Sequence, residues 1–155
     1  MDFELNLDSE TVEEAHPGEP LTVSPSTSLR EVFGLLKEHD RGNVIVCDEA
    51  RQLVGIFTER DALQLMANRA DLDVPISSVM SENPVTLAPT ATVGKAIRLM
   101  ARGGYRRLPV VSGPGQCSGV LKVSGILHYL VEHFPSVIYN LPPEPHHSTQ
   151  SREGA

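Results

Sequence analysis

"PLTVSP" at residues 20–25 and "PVTLAP" at residues 84–89 decide the fold, because laying one over the other exposes an internal repeat with an offset of 64 residues. The offset continues without a gap through Leu35/Leu99, Val46/Val110, Gln52/Gln116, Gly55/Gly119 and Leu63/Leu127. Identities are few, but residue classes agree along the whole length. Each copy reads as an extended proline-bounded start, an amphipathic helix, a strand, a turn, a second strand and a second helix.

Working outward, the first helix of copy one opens at Ser28-Leu-Arg-Glu31, the spacing of a capping box, and places Leu29, Val32, Phe33 and Leu36 on one face. Copy two offers Val93, Ala96, Ile97 and Met100 as the same face, and Gly103-Gly104 ends its helix. "NVIVC" (43–47) and "LPVV" (108–111) are short apolar runs between polar turns; "QLVGIF" and "CSGVL" supply the strands that follow them. Either copy alone buries little apolar surface, so the two are expected to pack together around one core. Residues 11–74 form the first repeat and 75–134 the second. They are preceded by an acidic arm (1–10) and followed by a proline-containing tail (135–155). Phe3, Leu5 and Leu7 alternate, which fits a short added strand, while the density of acids fits a solvated arm equally well. The tail predicts extended chain, with Val137, Ile138, Tyr139 and Leu141 available for apolar contact with the body.

Composition is that of an ordinary folded chain: 155 residues, 40% apolar and 21% charged. No stretch reaches the length of an apolar membrane span, and the N-terminus lacks the basic and apolar regions of a secretory signal, so a cytoplasmic location is expected. Cys47 and Cys117 lie far apart in strand-like surroundings and read as buried free thiols. The net charge of −7 is unevenly spread: residues 1–20 carry seven acids and no Lys or Arg. By contrast, residues 84–134 hold Lys95, Arg98, Arg102, Arg106, Arg107 and Lys122 against Glu132 alone. That local surplus is either solvated surface or a receiver of anions.

No nucleophile elbow, P-loop or spaced acid pair is present, and no enzymatic activity is expected. His128 and His133 do not share a helical face and His146-His147 lies in the tail, so no metal site is expected either. An aromatic content of 5% with no basic aromatic platform argues against nucleic acid as a partner.

One junction carries more than its local reading. In "LVGIFTERDAL" (53–63) a strand hands over to a helix at Thr58-x-x-Asp61, which locally is a helix N-cap with an acid in the first turn. Taken together with "VMSENPVTLAPTATVGKAI" (79–97), "YRRLPVV" (105–111) and the repeat itself, residues 11–134 resemble the paired cystathionine β-synthase (CBS) domain family, whose tandem copies form a Bateman module. The resemblance implies an α/β (α+β) fold of two β-α-β-β-α repeats related by a pseudo-twofold axis. It also implies a regulatory, non-catalytic role, in which an adenosine-type ligand (AMP, ADP, ATP or S-adenosylmethionine) sits in a cleft between the repeats. Carried onto this chain, it assigns Thr58 and Asp61 to the ribose, Ile56 to the base, and Arg106 and Arg107 to phosphate. The chemistry fits, since a carboxylate accepts from a diol and a guanidinium presents a planar fork to phosphate oxygens.

Copy two departs from this pattern, with Lys122 and Gly125 at the positions of Thr58 and Asp61. One asymmetric site per chain is therefore expected, with Lys122 reaching the phosphates of a ligand anchored by Asp61. The resemblance further implies a homodimer built on helix faces and a protein partner that the module regulates. The competing reading is a ligand-free structural or dimerisation scaffold in which the cleft is vestigial.

Overall fold

The computed structural model describes residues 7–133. Strand β1 (Thr22–Val23) leads to helix α1 (Leu29–Glu38), strands β2 (Asn43–Cys47) and β3 (Leu53–Thr58), and helix α2 (Glu59–Ala67). A short strand β4 (Ser81–Glu82) precedes helix α3 (Val93–Gly103), strands β5 (Arg107–Ser112) and β6 (Gln116–Lys122), and helix α4 (Val123–His133). Two β-α-β-β-α units are thus present, the first strand of the second being reduced to a single parallel bridge between Leu87 and Val110.

The first sheet runs β1-β2-β3-β4, with β1 parallel to β2 and the other neighbours antiparallel. In the second unit β5 and β6 form the antiparallel core pair. Both pairs carry a register shift at the same repeat position, between Val46 and Cys47 and between Val110 and Val111. Such a shift sharpens local twist. The repeat therefore extends to the irregularities.

Each expected apolar face is buried. Leu29 and Val32 are fully covered with Phe33 and Leu36 packed beside them, and Val93, Ala96 and Met100 match them in the second unit. Ser28 Oγ accepts from the Glu31 amide at 3.1 Å and Thr92 Oγ1 from the Lys95 amide at 3.0 Å, so each of these helices starts on a side-chain cap. Helix α3 ends at Gly104, whose left-handed backbone (φ 72°) returns its N–H to the Met100 carbonyl.

The core departs from the expected single mass. One apolar cluster fills the first unit, a second fills the other, and a small third one at the seam joins Ile45, Ile56 and Val120, with Cys47, Leu53 and Cys117 at its border. Both cysteines are free and half-buried there. Burial pushes both thiols up from the ordinary value.

The chain segments before each unit are exchanged. Val12, from the start of copy one, is buried in the core of the second unit and donates its N–H to the Ala91 carbonyl at 2.7 Å. Ile76, 64 residues later, is buried in the first unit and donates to the Thr27 carbonyl at 2.7 Å. The reverse bonds obey the same offset: Val93 N–H to Glu10 O at 2.8 Å, and Leu29 N–H to Val74 O at 2.9 Å. Strand β4 likewise lies on β3 of the other repeat.

At the N-terminus, the described part of the expected strand or solvated arm is instead a helical turn at residues 7–9. Leu7 is buried in the second unit's cluster and Asp8 pairs with Arg98 of α3 at 3.6 Å. An apolar slot for Leu7 and a cation for Asp8 hold the chain against the helix, which alternation alone does not reveal. Residues 1–6 and the tail from 134 onward, with Val137, Ile138, Tyr139, Leu141 and His146-His147, lie outside the described residues.

Candidate functional site

The β3–α2 junction builds one wall of a cleft. Strand β3 ends at Thr58, which still pairs with Asn43 in extended conformation and also caps α2 in a complete capping box. Thr58 Oγ1 accepts from the Asp61 amide at 3.4 Å, and Asp61 Oδ2 accepts both the Thr58 N–H at 2.9 Å and the Thr58 hydroxyl at 3.1 Å. The half-buried Asp61 carboxylate is thereby fixed through one oxygen. Among the described residues no hydrogen bond reaches its Oδ1, which remains the available acceptor.

The opposite wall comes from copy two, where the α3–β5 connection carries Gly104, Tyr105 and Arg106 and β5 opens at Arg107, and Pro84 and Val85 close the end. The cleft has a volume of about 700 Å³ and is lined by Ile56, Thr58 and Asp61 on one side and Arg106 and Arg107 on the other. Ile56 is buried and forms part of the apolar floor. Arg106 is exposed and Arg107 half-buried. An acceptor on one wall, cations on the other and an apolar floor between them suit an elongated ligand with a hydroxylated middle and an anionic end.

Five of the six residues singled out from the sequence thus line one cavity. Lys122 does not: it ends β6 directly across the strand pair from Arg107 and lines no part of this cleft. The junction that follows it is tied within its own copy, the Val123 amide donating to the Arg106 carbonyl at 3.1 Å. Sequence reasoning missed Glu59 and Tyr105. Glu59 Oε1 pairs with Arg107 Nη2 across the cleft at 3.3 Å, and Tyr105 lines both this cleft and a neighbouring apolar groove. Tyr105 had a signal in its position beside Arg106; Glu59 had none, its partner lying 48 residues away.

The groove, of about 760 Å³, lies between α3 and α4, with Ile97, Tyr105, Val123, Leu127 and Leu130 along it and the Asp8–Arg98 pair at its rim. Leu63 on α2 is 72% exposed and Leu127, its repeat counterpart on α4, 57%. Met66 on α2 is exposed as well, while Ala62 and Leu65 of the same helix pack against the first unit's core. Among the described residues no helix is long and apolar enough to cross a membrane.

Two β-α-β-β-α units about a pseudo-twofold axis, with exchanged leading segments and a cleft between them, define a tandem-repeat module. The chain belongs to the CBS domain family, whose model matches residues 11–68 and again 76–132. It is 29% identical over 110 residues to an uncharacterized 17.7 kDa protein of Acidianus ambivalens, covering 71% of this chain and 66% of that protein. Further archaeal relatives, from Thermofilum pendens and Methanopyrus kandleri, are covered over 44% and 59% of their length. Among solved structures, a CBS-domain-containing protein of Agrobacterium tumefaciens superposes with a TM-score of 0.70 at 27% identity, covering 78% of this chain and 93% of that one. A CBS domain protein of Pyrobaculum aerophilum, complexed with AMP, has the same TM-score and identity, covering 79% of this chain and 98% of that one.

Proposed function

We propose that this chain is a non-catalytic regulatory module that binds an adenosine-type nucleotide between its repeats and passes ligand state to a partner protein. One observation carries this reading: the cleft collects an acceptor pair, Thr58 and Asp61, from one repeat and a cation pair, Arg106 and Arg107, from the other, around the buried Ile56. The AMP complex of the Pyrobaculum relative supports the ligand class. In this reading Asp61 Oδ1 accepts a ribose hydroxyl, Ile56 packs on the base and the arginines take the phosphate. Phosphate-bearing AMP, ADP and ATP fit the cation pair more fully than S-adenosylmethionine does. Cleft occupancy changes how the two repeats are held, and a partner that senses this arrangement completes the signal. The exposed leucines at equivalent positions of α2 and α4 support assembly as a homodimer through helix faces.

The test is thermal unfolding with AMP, ADP, ATP, S-adenosylmethionine or no addition. A ligand that prefers the native state raises the midpoint, and the rise grows with the logarithm of its concentration above Kd. The expected outcome is a rise with at least one adenine nucleotide that is lost in Asp61→Ala. A second reading, the ligand-free scaffold, is favoured by the use of Asp61 Oδ2 inside the capping box. Unchanged midpoints with all four compounds would select it.

A further inference from the structure

The pair that crosses the cleft involves an unusual cation. Arg107 is only 23% exposed, and its one ion-pair partner among the described residues, the carboxylate of Glu59, is 65% exposed and makes one contact rather than the two-pronged one that a guanidinium offers. Arg107 Nε is buried and, among the described residues, has no hydrogen-bond partner. A buried donor left without an acceptor is costly. Arg107 is thus under-satisfied by Glu59, and an anion with more oxygens serves it better.

The backbone around the pair leaves room for it. A methyl group at Gly42 would run into both Glu59 Oε1 and Arg107 Nη2, so glycine there leaves room for the pair in this position, and a side chain would push one or both ends aside. Gly42 stands at the repeat position of Arg106, and its carbonyl accepts the Glu59 amide at 3.0 Å. Glu59 is therefore held at its backbone while its side chain is free to swing outward.

We infer that Glu59 is a built-in counter-anion that occupies Arg107 until a ligand phosphate displaces it, so that phosphate-bearing ligands, at a cost in affinity, release the tie that Glu59 and Arg107 make between the repeats. A dianionic phosphate group offers Arg107 a second acceptor and a stronger charge than the carboxylate. Its arrival repels Glu59 into solvent and breaks the one ion pair recorded between β5 and the α2 N-terminus among the described residues. A nucleoside without phosphate leaves that tie intact. Phosphate binding and the connection between the repeats thus compete for one guanidinium. The inference rests on the proposed adenosine-type site for its ligand, but the anion exchange itself needs no base or ribose.

The experiment is calorimetric titration of the wild-type protein, Glu59→Gln, Arg107→Gln and the double variant with pyrophosphate, AMP and adenosine. Removing the internal competitor is expected to tighten pyrophosphate and AMP by about five-fold, the scale of a partly exposed ion pair. The ratio of AMP to adenosine affinity rises with it, and the gain disappears when Arg107 is also replaced. Pyrophosphate binding to Glu59→Gln that is equal to or weaker than wild type overturns the inference, as does an equal gain for adenosine and AMP. If neither AMP nor adenosine binds any variant, the adenosine reading fails while the pyrophosphate comparison still decides this one.

Discussion

Thr58 stands where three demands meet: it ends a strand, starts a helix and faces a cleft. A hydroxyl that both donates and accepts can satisfy the backbone and the Asp61 carboxylate together, as its 3.1 and 3.4 Å contacts show. Thr58→Ala removes that acceptor from the first turn of α2 and is expected to lower stability by about 1 kcal/mol, measured by urea denaturation. Thr58→Ser, which keeps the hydroxyl, is expected to lose less than half of that. This junction was legible in the sequence because a capping box has fixed spacing, and the placement of Arg106 and Arg107 along the cleft because the family resemblance puts basic residues just before the Leu108-Pro109-Val110 run. The contact of Arg107 with Glu59 was not legible. Nothing in local sequence tells an exposed first-turn acid which distant cation the fold will bring to it.

At the scale of elements, period and punctuation located the helices and strands, since apolar spacing reports which face is buried. It does not report against what that face packs. That is why Leu63 and Leu127 read as ordinary helix residues, yet emerge exposed on α2 and α4 at matching repeat positions. If these helices form the faces of a homodimer, a charge at both positions must be buried on association, and Leu63→Glu with Leu127→Glu is expected to convert a dimer to a monomer in sedimentation equilibrium. The helices themselves should persist by circular dichroism, because neither leucine is part of a core cluster. A wild-type protein that already sediments as a monomer would remove the dimer from the proposal.

At the scale of the whole molecule, the repeat dictated two similar units but hid their interlocking. Val12 and Ile76 are conventional buried residues of leading segments; only the bonds to Ala91 and Thr27 reveal that each belongs to the other unit's core. Backbone cleavage in the connection after Arg69, an exposed position, is therefore expected to leave fragments 1–69 and 70–155 bound to each other. A cleavable insert there, followed by size-exclusion chromatography, checks this. Co-elution until denaturant is added is the expected result, and separation in native buffer contradicts it.

The exchanged segments also constrain how such a gene can change. Each repeat lends its opening residues to its neighbour's foundation, so copying or deleting one repeat alone would strand a borrowed segment without a host. Inheritance by pairs is the unit that keeps every lender and borrower together, even where, as with Lys122 and Gly125, the two copies have drifted apart in chemistry.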